Sequence, residues 1–192
     1  MSGSSRQPRR DGAANRERIL DAAIELVQQR GERVPMADIA RHAGVGTGTI
    51  YRHYATRQDL LGALVDRSFG IALENARSAA AEPGSARNGI RSFFAATLRD
   101  RHRFVLPLHG GPVAFTPISL ELQAGVRTAL QALIERGQAA GELRLDLTPI
   151  DLIVAASSLS RPLPNADDWD TLARRQIDLY VDGVSPPPPP TA

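Results

Sequence analysis

The side chains best suited to recognising a ligand lie in the run Thr47-Gly48-Thr49-Ile50-Tyr51-Arg52. In a helix, Ile50 and Tyr54 share one face because they are four residues apart, so the other residues of the run point away from it. Three hydroxyls, a guanidinium and a glycine that permits close approach do not suit catalysis. They do suit a helix that lies in the major groove of DNA.

A helix-turn-helix pattern positions this run. Ile39 and Ala40 belong to a face that must be buried, Ala43-Gly44 lets the chain change direction, and Val45 inserts under the corner. The same pattern also fits an ordinary αα-hairpin in which the glycine only turns the chain. The local pattern leaves both interpretations open.

The residues that follow favour the DNA-binding interpretation. Thr56 and Asp59 form a capping box of the Ser/Thr-x-x-acid type, which predicts that a further helix begins here. Arg57 then lies in the first turn of that helix, where the helix dipole disfavours a cation. Stability therefore does not account for Arg57, whereas a phosphate near the helix start would.

Residues 16–65 resemble the DNA-binding domain of the TetR family of bacterial transcriptional regulators. The family pattern appears as Ile19-Leu20-Asp21-Ala22-Ala23, Ile39-Ala40, Ala43-Gly44-Val45-Gly46 and Gly48-Thr49-Ile50-Tyr51-Arg52-His53-Tyr54, and Arg57 stands where the family has a lysine. Two departures remove hydroxyl groups. Gly46 replaces the serine that caps the recognition helix, and Pro35 replaces a threonine while suiting the first position of the second helix.

The resemblance implies a DNA-binding surface centred on the recognition helix. Thr47, Thr49 and Arg52 are the candidates for contacts with base edges, and Tyr51, His53 and Arg57 are the candidates for phosphate contacts. The remaining expected DNA-binding positions are Pro35, Met36, Gly46 and Gly48. We expect Arg57→Ala to weaken binding to all sequences about equally and Arg52→Ala to change the sequence preference.

Positive charge is concentrated in the N-terminal part of the chain, which contains the helix-turn-helix and which we call the head. Residues 1–60 carry ten arginines against seven acidic residues, a net charge of +3, and residues 61–192 carry thirteen against fourteen, a net charge of −1. The bias towards the helix-turn-helix end is small but has the right sign. All 23 basic residues are arginine, which we attribute to genomic composition.

Composition excludes several other kinds of site. The chain has no cysteine, which removes disulfides and thiolate metal sites, and its four histidines do not indicate a metal centre. We expect no metal and no cofactor. No apolar run approaches the length of about 20 residues that a membrane span needs, and the N-terminus lacks the apolar core of a secretion signal, so we expect a cytoplasmic protein with no membrane partner.

Helical periodicity recurs along the chain and predicts an all-α protein of two domains. We expect a disordered arm at 1–12, a three-helix DNA-binding domain with the helix-turn-helix at 13–58, a helical ligand-binding and dimerisation domain at 59–184, and a Pro-rich tail at 185–192. The predicted helices cover about 13–30, 35–42, 47–54, 57–80, 86–104, 118–140, a segment from 149, and 167–182. The arginines of the arm either contact phosphates or belong to a solvated tail.

Two further sites are expected in the second domain. Candidate ligand-binding residues lie on the fifth helix, in an irregular apolar stretch over 105–117 and on the sixth helix: Phe93, Phe94, Leu98, His109, Phe115 and Leu122. The phenylalanines fit a core equally well. The helix after Pro149 is apolar on nearly every side, so it should also meet a second subunit. The expected interface residues are Ile153, Ala156, Leu159, Trp169, Leu172, Ile177 and Tyr180.

The TetR resemblance implies that the last two helices of each subunit form a four-helix dimer interface and that the preceding helices enclose a ligand pocket. Residues 139–152 are also similar to regulators with an SbtR-like C-terminal domain. The expected function is that of a homodimeric transcriptional repressor that binds double-stranded DNA. A small-molecule effector is expected to release it from a near-palindromic operator. One alternative is a helical enzyme acting on a small molecule, but catalytic groups at useful spacing are missing. The other is a nonspecific architectural DNA-binding protein, but residues 1–60 are too weakly basic to favour it.

Overall fold

The computed structural model describes residues 7–105, 114–163 and 167–186, with side chains from residue 12 onwards. Within these ranges the chain forms eight α-helices and no strand, as the all-α prediction requires. The helices are α1 (Gln7–Arg30), α2 (Met36–His42), α3 (Thr47–His53), α4 (Arg57–Ala81), α5 (Ala86–Arg99), α6 (Pro117–Ala139), α7 (Pro149–Leu159) and α8 (Trp169–Gly183).

The helices belong to two compact units. Described residues up to Ser68, with 102–105 and 114–116, form the first unit, and residues 69–101 with those from Pro117 onwards form the second. The division falls inside α4, whereas the sequence placed it at residue 58. One continuous helix of 25 residues therefore contributes its first half to one unit and its second half to the other.

The core of the first unit forms where the apolar faces of α1 to α4 meet. Helix α1 buries residues at positions 19, 20, 23, 24, 26 and 27, a spacing that places them on one face. Ile39 from α2, Ile50 from α3 and Leu64 from α4 complete this core, each at most 2% exposed. Short helices such as α2 and α3 are marginal alone, so their stability depends on this packing.

Helix α1 begins at Gln7, earlier than the predicted start at residue 13. Residues 7–12 are therefore helical where the sequence analysis expected a disordered arm. Pro8 does not prevent this, because a proline in the first helical turn gives up an N–H that has no intrahelical acceptor. Residues 1–6 of the expected arm, and most of the Pro-rich tail, lie outside the described residues.

The core of the second unit is built from the second half of α4 with α5 to α8. Its fully buried residues include Ile90, Phe94, Leu130, Leu133 and Leu152. Gly137 permits close packing, because a Cβ on it would lie 2.6 Å from the Cβ of Ala86.

The helix ends of the second unit are stabilised by side chains. The carboxylate of Glu142, just after α6, accepts hydrogen bonds from the Ser85 hydroxyl at 2.9 Å and from the Ala86 amide at 2.7 Å at the start of α5. At α7, Asp151 accepts from the backbone amide of Thr148 at 2.9 Å, and Pro149 takes the first helical position. The predicted start of α7 is therefore confirmed. Helix α5 ends at Arg99, short of the predicted residue 104, and a single 3-10 turn follows at Arg101–Arg103.

Among the described residues, none of the helices is both long and apolar enough to cross a membrane.

Candidate nucleic-acid interface

Helix α3 divides into a buried side and an exposed side. Ile50 is completely buried and Tyr54, which ends the helix, is 4% exposed. Thr47, Gly48 and Arg52 are exposed, Tyr51 is 50% exposed, and Thr49 and His53 are partly buried. The polar residues that the sequence singled out therefore form one accessible face. Burial of the phenol raises the pKa of Tyr54 above its ordinary value.

The start of α3 has no side-chain cap. Gly46 takes the N-cap position with φ −69° and ψ 149°, and its carbonyl oxygen accepts the Thr49 amide at 2.8 Å. A Cβ added to Gly46 would meet nothing closer than the Thr49 hydroxyl, at 3.9 Å. The fold therefore does not require glycine at this position.

The turn before α3 does require glycine. Gly44 has φ +63°, its amide donates to the Arg41 carbonyl at 3.1 Å, and the Val45 amide donates to the Ala40 carbonyl at 3.0 Å. These are the hydrogen bonds of a Schellman motif, which ends α2 with a left-handed residue. The turn that the sequence predicted is thus confirmed, and Val45 lies partly buried beneath it.

The guanidinium of Arg57 has hydrogen-bond partners within the chain, which the sequence analysis did not expect. The capping box is present, since the Thr56 amide donates to Asp59 at 2.8 Å and the Asp59 amide donates to the Thr56 hydroxyl at 3.1 Å. The guanidinium of Arg57, however, donates to the carbonyl of Glu32 at 2.7 Å and to that of Val34. The conclusion that stability does not account for Arg57 is therefore wrong, because these backbone carbonyls are its partners.

Two expected DNA contacts at the start of α2 also change. Pro35 is exposed but stands at the N-cap, with φ −60° and ψ 140°, one position before the predicted one. The Met36 side chain is only 6% exposed, so it belongs to the core and cannot face DNA. This burial corrects the assignment of the Met36 side chain as a DNA contact.

Arg18 is a polar residue of this region that the sequence analysis missed. From α1, it donates to the carbonyls of Ala43 and Gly44 at the turn before α3, at 2.7 and 2.6 Å. The available signal was an arginine beside the buried pair Ile19-Leu20, which is too common a pattern to indicate such a contact.

Other charged groups of the first unit pair with carboxylates. Arg41 lies 2.6 Å from Asp38, His42 lies 2.7 Å from Glu25, and Arg67 lies 2.7 Å from Asp21. Arg52 has no hydrogen-bond or ion-pair partner among the residues that the structure describes. Its guanidinium is exposed and therefore available to a ligand outside the chain.

The expected ligand-binding residues lie mainly in the core of the second unit. Phe93, Phe94 and Leu98 are at most 4% exposed, and Leu122 packs against the same cluster. This is the core alternative that the sequence left open. Phe115 belongs to the first unit and is 42% exposed, and His109 lies outside the described residues.

An open cleft of about 530 Å³ lies elsewhere in the second unit. Its lining residues are Arg144, Asp146, Leu147, Asp151, Leu179, Tyr180, Gly183 and Val184. Arg144 pairs with Asp146 through two contacts, at 2.5 and 2.7 Å, and this raises the pKa of the guanidinium. Burial, then the charge of Asp151, raises the pKa of Tyr180. Tyr180 is the sole lining residue that the sequence analysis had assigned to any site.

The expected dimer residues divide into buried and exposed sets. Ala156 and Ile177 are each 3% exposed within their own unit, so they cannot supply an intermolecular surface, and their assignment was wrong. Four others are partly buried against the same core: Ile153, Leu159, Trp169 and Tyr180. Leu172 is 46% exposed. Three further apolar side chains on α7 and α8 have comparable exposure: Ile150, Val154 and Leu179.

Two family models match this chain. Residues 19–64 match the bacterial regulatory proteins of the tetR family, and residues 116–186 match the C-terminal domain of SbtR-like transcriptional regulators. The chain belongs to the TetR family. Both resemblances seen in the sequence are thereby confirmed, and TetR-family membership favours a regulator over the enzyme alternative.

Known proteins similar to this TetR-family chain include HTH-type transcriptional regulators from several strains of Staphylococcus aureus. They are 38% identical over 64 residues, which cover 33% of this chain and 35% of those relatives. The match therefore spans about a third of their length.

Solved TetR structures match over nearly the whole chain. A TetR transcription regulatory protein from Mycobacterium vanbaalenii is 26% identical, with a TM-score of 0.64 over 93% of this chain and 99% of that one. A TetR regulator from Streptomyces coelicolor is 27% identical, with a TM-score of 0.62 over 90% and 99%. A tetR-family protein from Rhodococcus RHA1, 20% identical with a TM-score of 0.73 over 91% and 98%, supports the fold alone.

Proposed function

We propose that this protein is a homodimeric DNA-binding repressor of transcription that a small-molecule effector releases from its operator. One observation carries the proposal: in a TetR-family head, α3 presents exposed polar groups on a helix that a completely buried Ile50 anchors. A helix of this kind is accessible to the major groove while its position is set by the core.

Arg52 is the leading candidate for direct base contact. It is exposed and has no partner among the described residues, and an arginine can make two hydrogen bonds to guanine in the major groove. Thr47 and Thr49 are candidates for further base contacts. The Tyr51 hydroxyl and His53 are proposed to contact phosphates, which fix the register of the helix without reading sequence.

The proposed dimer uses the exposed apolar side chains of α7 and α8. Ile150 and Val154 lie four residues apart on one face of α7, and Leu172 and Leu179 lie seven apart on one face of α8. Such a surface favours association with a second copy. Two-fold symmetry then implies a near-palindromic operator, and binding to chromosomal DNA implies a cytoplasmic location.

Release by an effector follows from linkage. Helix α4 supplies residues to both units, so it is the proposed element through which the second unit influences the first. An effector that prefers the conformation incompatible with DNA must weaken DNA binding by the same coupling free energy. The effector is proposed to bind among the helices of the second unit.

The proposal is tested by selecting bound sequences from a library of random DNA duplexes with the purified full chain. We expect an enriched near-palindrome. Fluorescence anisotropy should then show binding to this duplex that is about a thousandfold or more tighter than binding to a scrambled duplex of the same composition. A ratio near one would support the architectural alternative instead.

Repression and release need separate measurements. A reporter gene placed behind the selected operator should be expressed less when the protein is present. A thermal-shift screen of small apolar compounds should identify ligands that raise the midpoint, and these should dissociate the protein from the operator duplex. If such ligands strengthened DNA binding, the release part of the proposal would fail while DNA recognition stood.

A further inference from the structure

Both ends of α2 are held by guanidinium groups that come from other helices. At its C-terminal end, Arg18 of α1 donates from Nη2 to the Ala43 carbonyl at 2.7 Å and to the Gly44 carbonyl at 2.6 Å, and from Nε to Ala43 at 3.1 Å. At its N-terminal end, Arg57 of α4 donates from Nη1 to the carbonyls of Glu32 and Val34. Each guanidinium therefore bridges two backbone carbonyls.

These contacts supply hydrogen bonds at the ends of α2 that the helix does not make with a capping side chain of its own. It has seven residues and no side-chain cap at Pro35. The last carbonyls of a helix have no intrahelical partner, and a cation there also interacts favourably with the helix dipole. Charged donors make stronger hydrogen bonds than neutral ones, and the planar guanidinium engages two acceptors at once. Arg18 thus provides hydrogen-bond donors for the carbonyls that follow α2, at the turn that leads into α3.

The position of α3 depends directly on this turn. Three residues, Gly44 to Gly46, separate the C-cap of α2 from the first residue of α3. The Arg18 contact also fits closely around Gly44, since a Cβ there would lie 3.0 Å from Nη2. Any displacement of the Ala43 and Gly44 carbonyls would therefore move the start of the recognition helix.

We propose that Arg18 and Arg57 are positioning residues for DNA recognition, which hold α2 and hence α3 by binding backbone carbonyls and not phosphates. The inference rests on the proposed DNA-binding function. It assigns a role to Arg18, and for Arg57 it replaces the phosphate contact expected from the sequence. Both arginines act through the placement of α3, so they affect recognition of the operator more than general attraction to DNA.

The test compares Arg18→Ala, Arg18→Lys and Arg57→Ala with the wild-type chain on the selected operator and on the scrambled duplex, at several salt concentrations. Arg77→Ala is the matched control, because Arg77 is an exposed arginine of the second unit without a described partner. We expect Arg18→Ala and Arg57→Ala to weaken operator binding about tenfold, to lower the operator-to-scrambled ratio, and to leave the salt slope unchanged.

Arg18→Lys separates positioning from charge. Lysine keeps the charge but cannot bridge two carbonyls in the fixed geometry of a guanidinium, so the operator-to-scrambled ratio should fall here as well. A phosphate contact gives a different pattern: each alanine variant would lower the salt slope by about 0.9, both duplexes would lose affinity equally, and lysine would bind nearly as the wild type does. That pattern would overturn the proposal, as would a partial loss of folding that weakens both duplexes equally.

A measurement without DNA distinguishes this inference from the proposed function. Hydrogen exchange of the full chain should show faster exchange of the α2 and α3 amides in Arg18→Ala and Arg18→Lys, with the amides of α5 to α8 unchanged. Unchanged exchange in α2 and α3 would refute the positioning role even if the wild type binds its operator. If the wild type selects no DNA sequence, the proposed function fails, and the positioning of the recognition helix fails with it whatever the exchange result.

Discussion

Ile50 and Tyr51 are adjacent in α3, yet Ile50 is completely buried and Tyr51 is 50% exposed. A single step along a helix rotates the side chain by about 100°, which is enough to move from the core to the accessible face. The proposed recognition surface is therefore rigidly connected to the core of the first unit. This relationship means that the exposed residues of α3 can be replaced without loss of the fold.

Arg52→Ala should change which sequences are bound. Its guanidinium is exposed and has no partner within the described part of the chain, so its removal costs little stability. We expect the preference at one or two operator positions to relax, with a loss of about 1–3 kcal/mol on the best site. Repeating the duplex selection with this variant measures the effect. The Arg77→Ala variant should select the wild-type operator, and an unchanged selection by Arg52→Ala would contradict the assignment.

Gly46→Ser should raise the thermal midpoint and strengthen operator binding, whereas Gly44→Ser should lower the thermal midpoint. At Gly46 the backbone is extended and the nearest neighbour of an added Cβ is 3.9 Å away, so a serine would restore a side-chain cap and a hydroxyl near the DNA. At Gly44, with φ +63°, the same change should cost about 1 kcal/mol or more. Thermal denaturation and operator affinity measure both. Weaker operator binding by Gly46→Ser would show that the hydroxyl has no phosphate within reach.

Leu179→Asp should shift the oligomeric state from dimer to monomer. Leu179 is 55% exposed on α8, and a charge buried in an apolar interface without a partner is costly. Light scattering after size-exclusion chromatography measures the mass. Leu120→Asp is the control, because Leu120 is 53% exposed but lies on α6. Equal masses for the wild type and Leu179→Asp would place the dimer contacts elsewhere.

The carboxylate of Glu142 should contribute a pH-dependent part of the stability. Its hydrogen bond from the Ser85 hydroxyl, together with the Ala86 amide, holds its pKa below the usual range. Because the folded pKa lies below the unfolded one, the stabilisation is present above the unfolded pKa of about 4.3 and is lost as the pH falls through the folded pKa. Glu142→Gln should therefore lower the thermal midpoint at neutral pH, and this difference should shrink in acid.

The control for this titration is Glu121→Gln, which changes an exposed carboxylate of α6. Its thermal midpoint should follow that of the wild type at every pH. A difference between the wild type and Glu142→Gln that stayed constant down to acid pH would show that the charge of Glu142 does not matter for these hydrogen bonds.

The sequence alone determined the helices, the turn and the family, because these depend on local patterns. Apolar spacing in α1, the glycine of the turn at residue 44, and the Thr56–Asp59 and Thr148–Asp151 pairs each act within a few residues. Local patterns also separated Ile50 from the polar residues beside it. For the same reason the extra turns of α1 were missed, since Pro8, Arg9 and Arg10 resemble a tail until their place in the first helical turns is known.

The tertiary structure decided which partners these residues take. Met36, Ala156 and Ile177 were expected at contacts with DNA or a second subunit, but each is at most 6% exposed. The guanidinium of Arg57 donates hydrogen bonds to the carbonyls of Glu32 and Val34, more than twenty residues earlier in the chain, and local spacing did not predict these partners. Burial and carbonyl direction both depend on contacts between residues far apart in sequence, and local spacing carries no information about them.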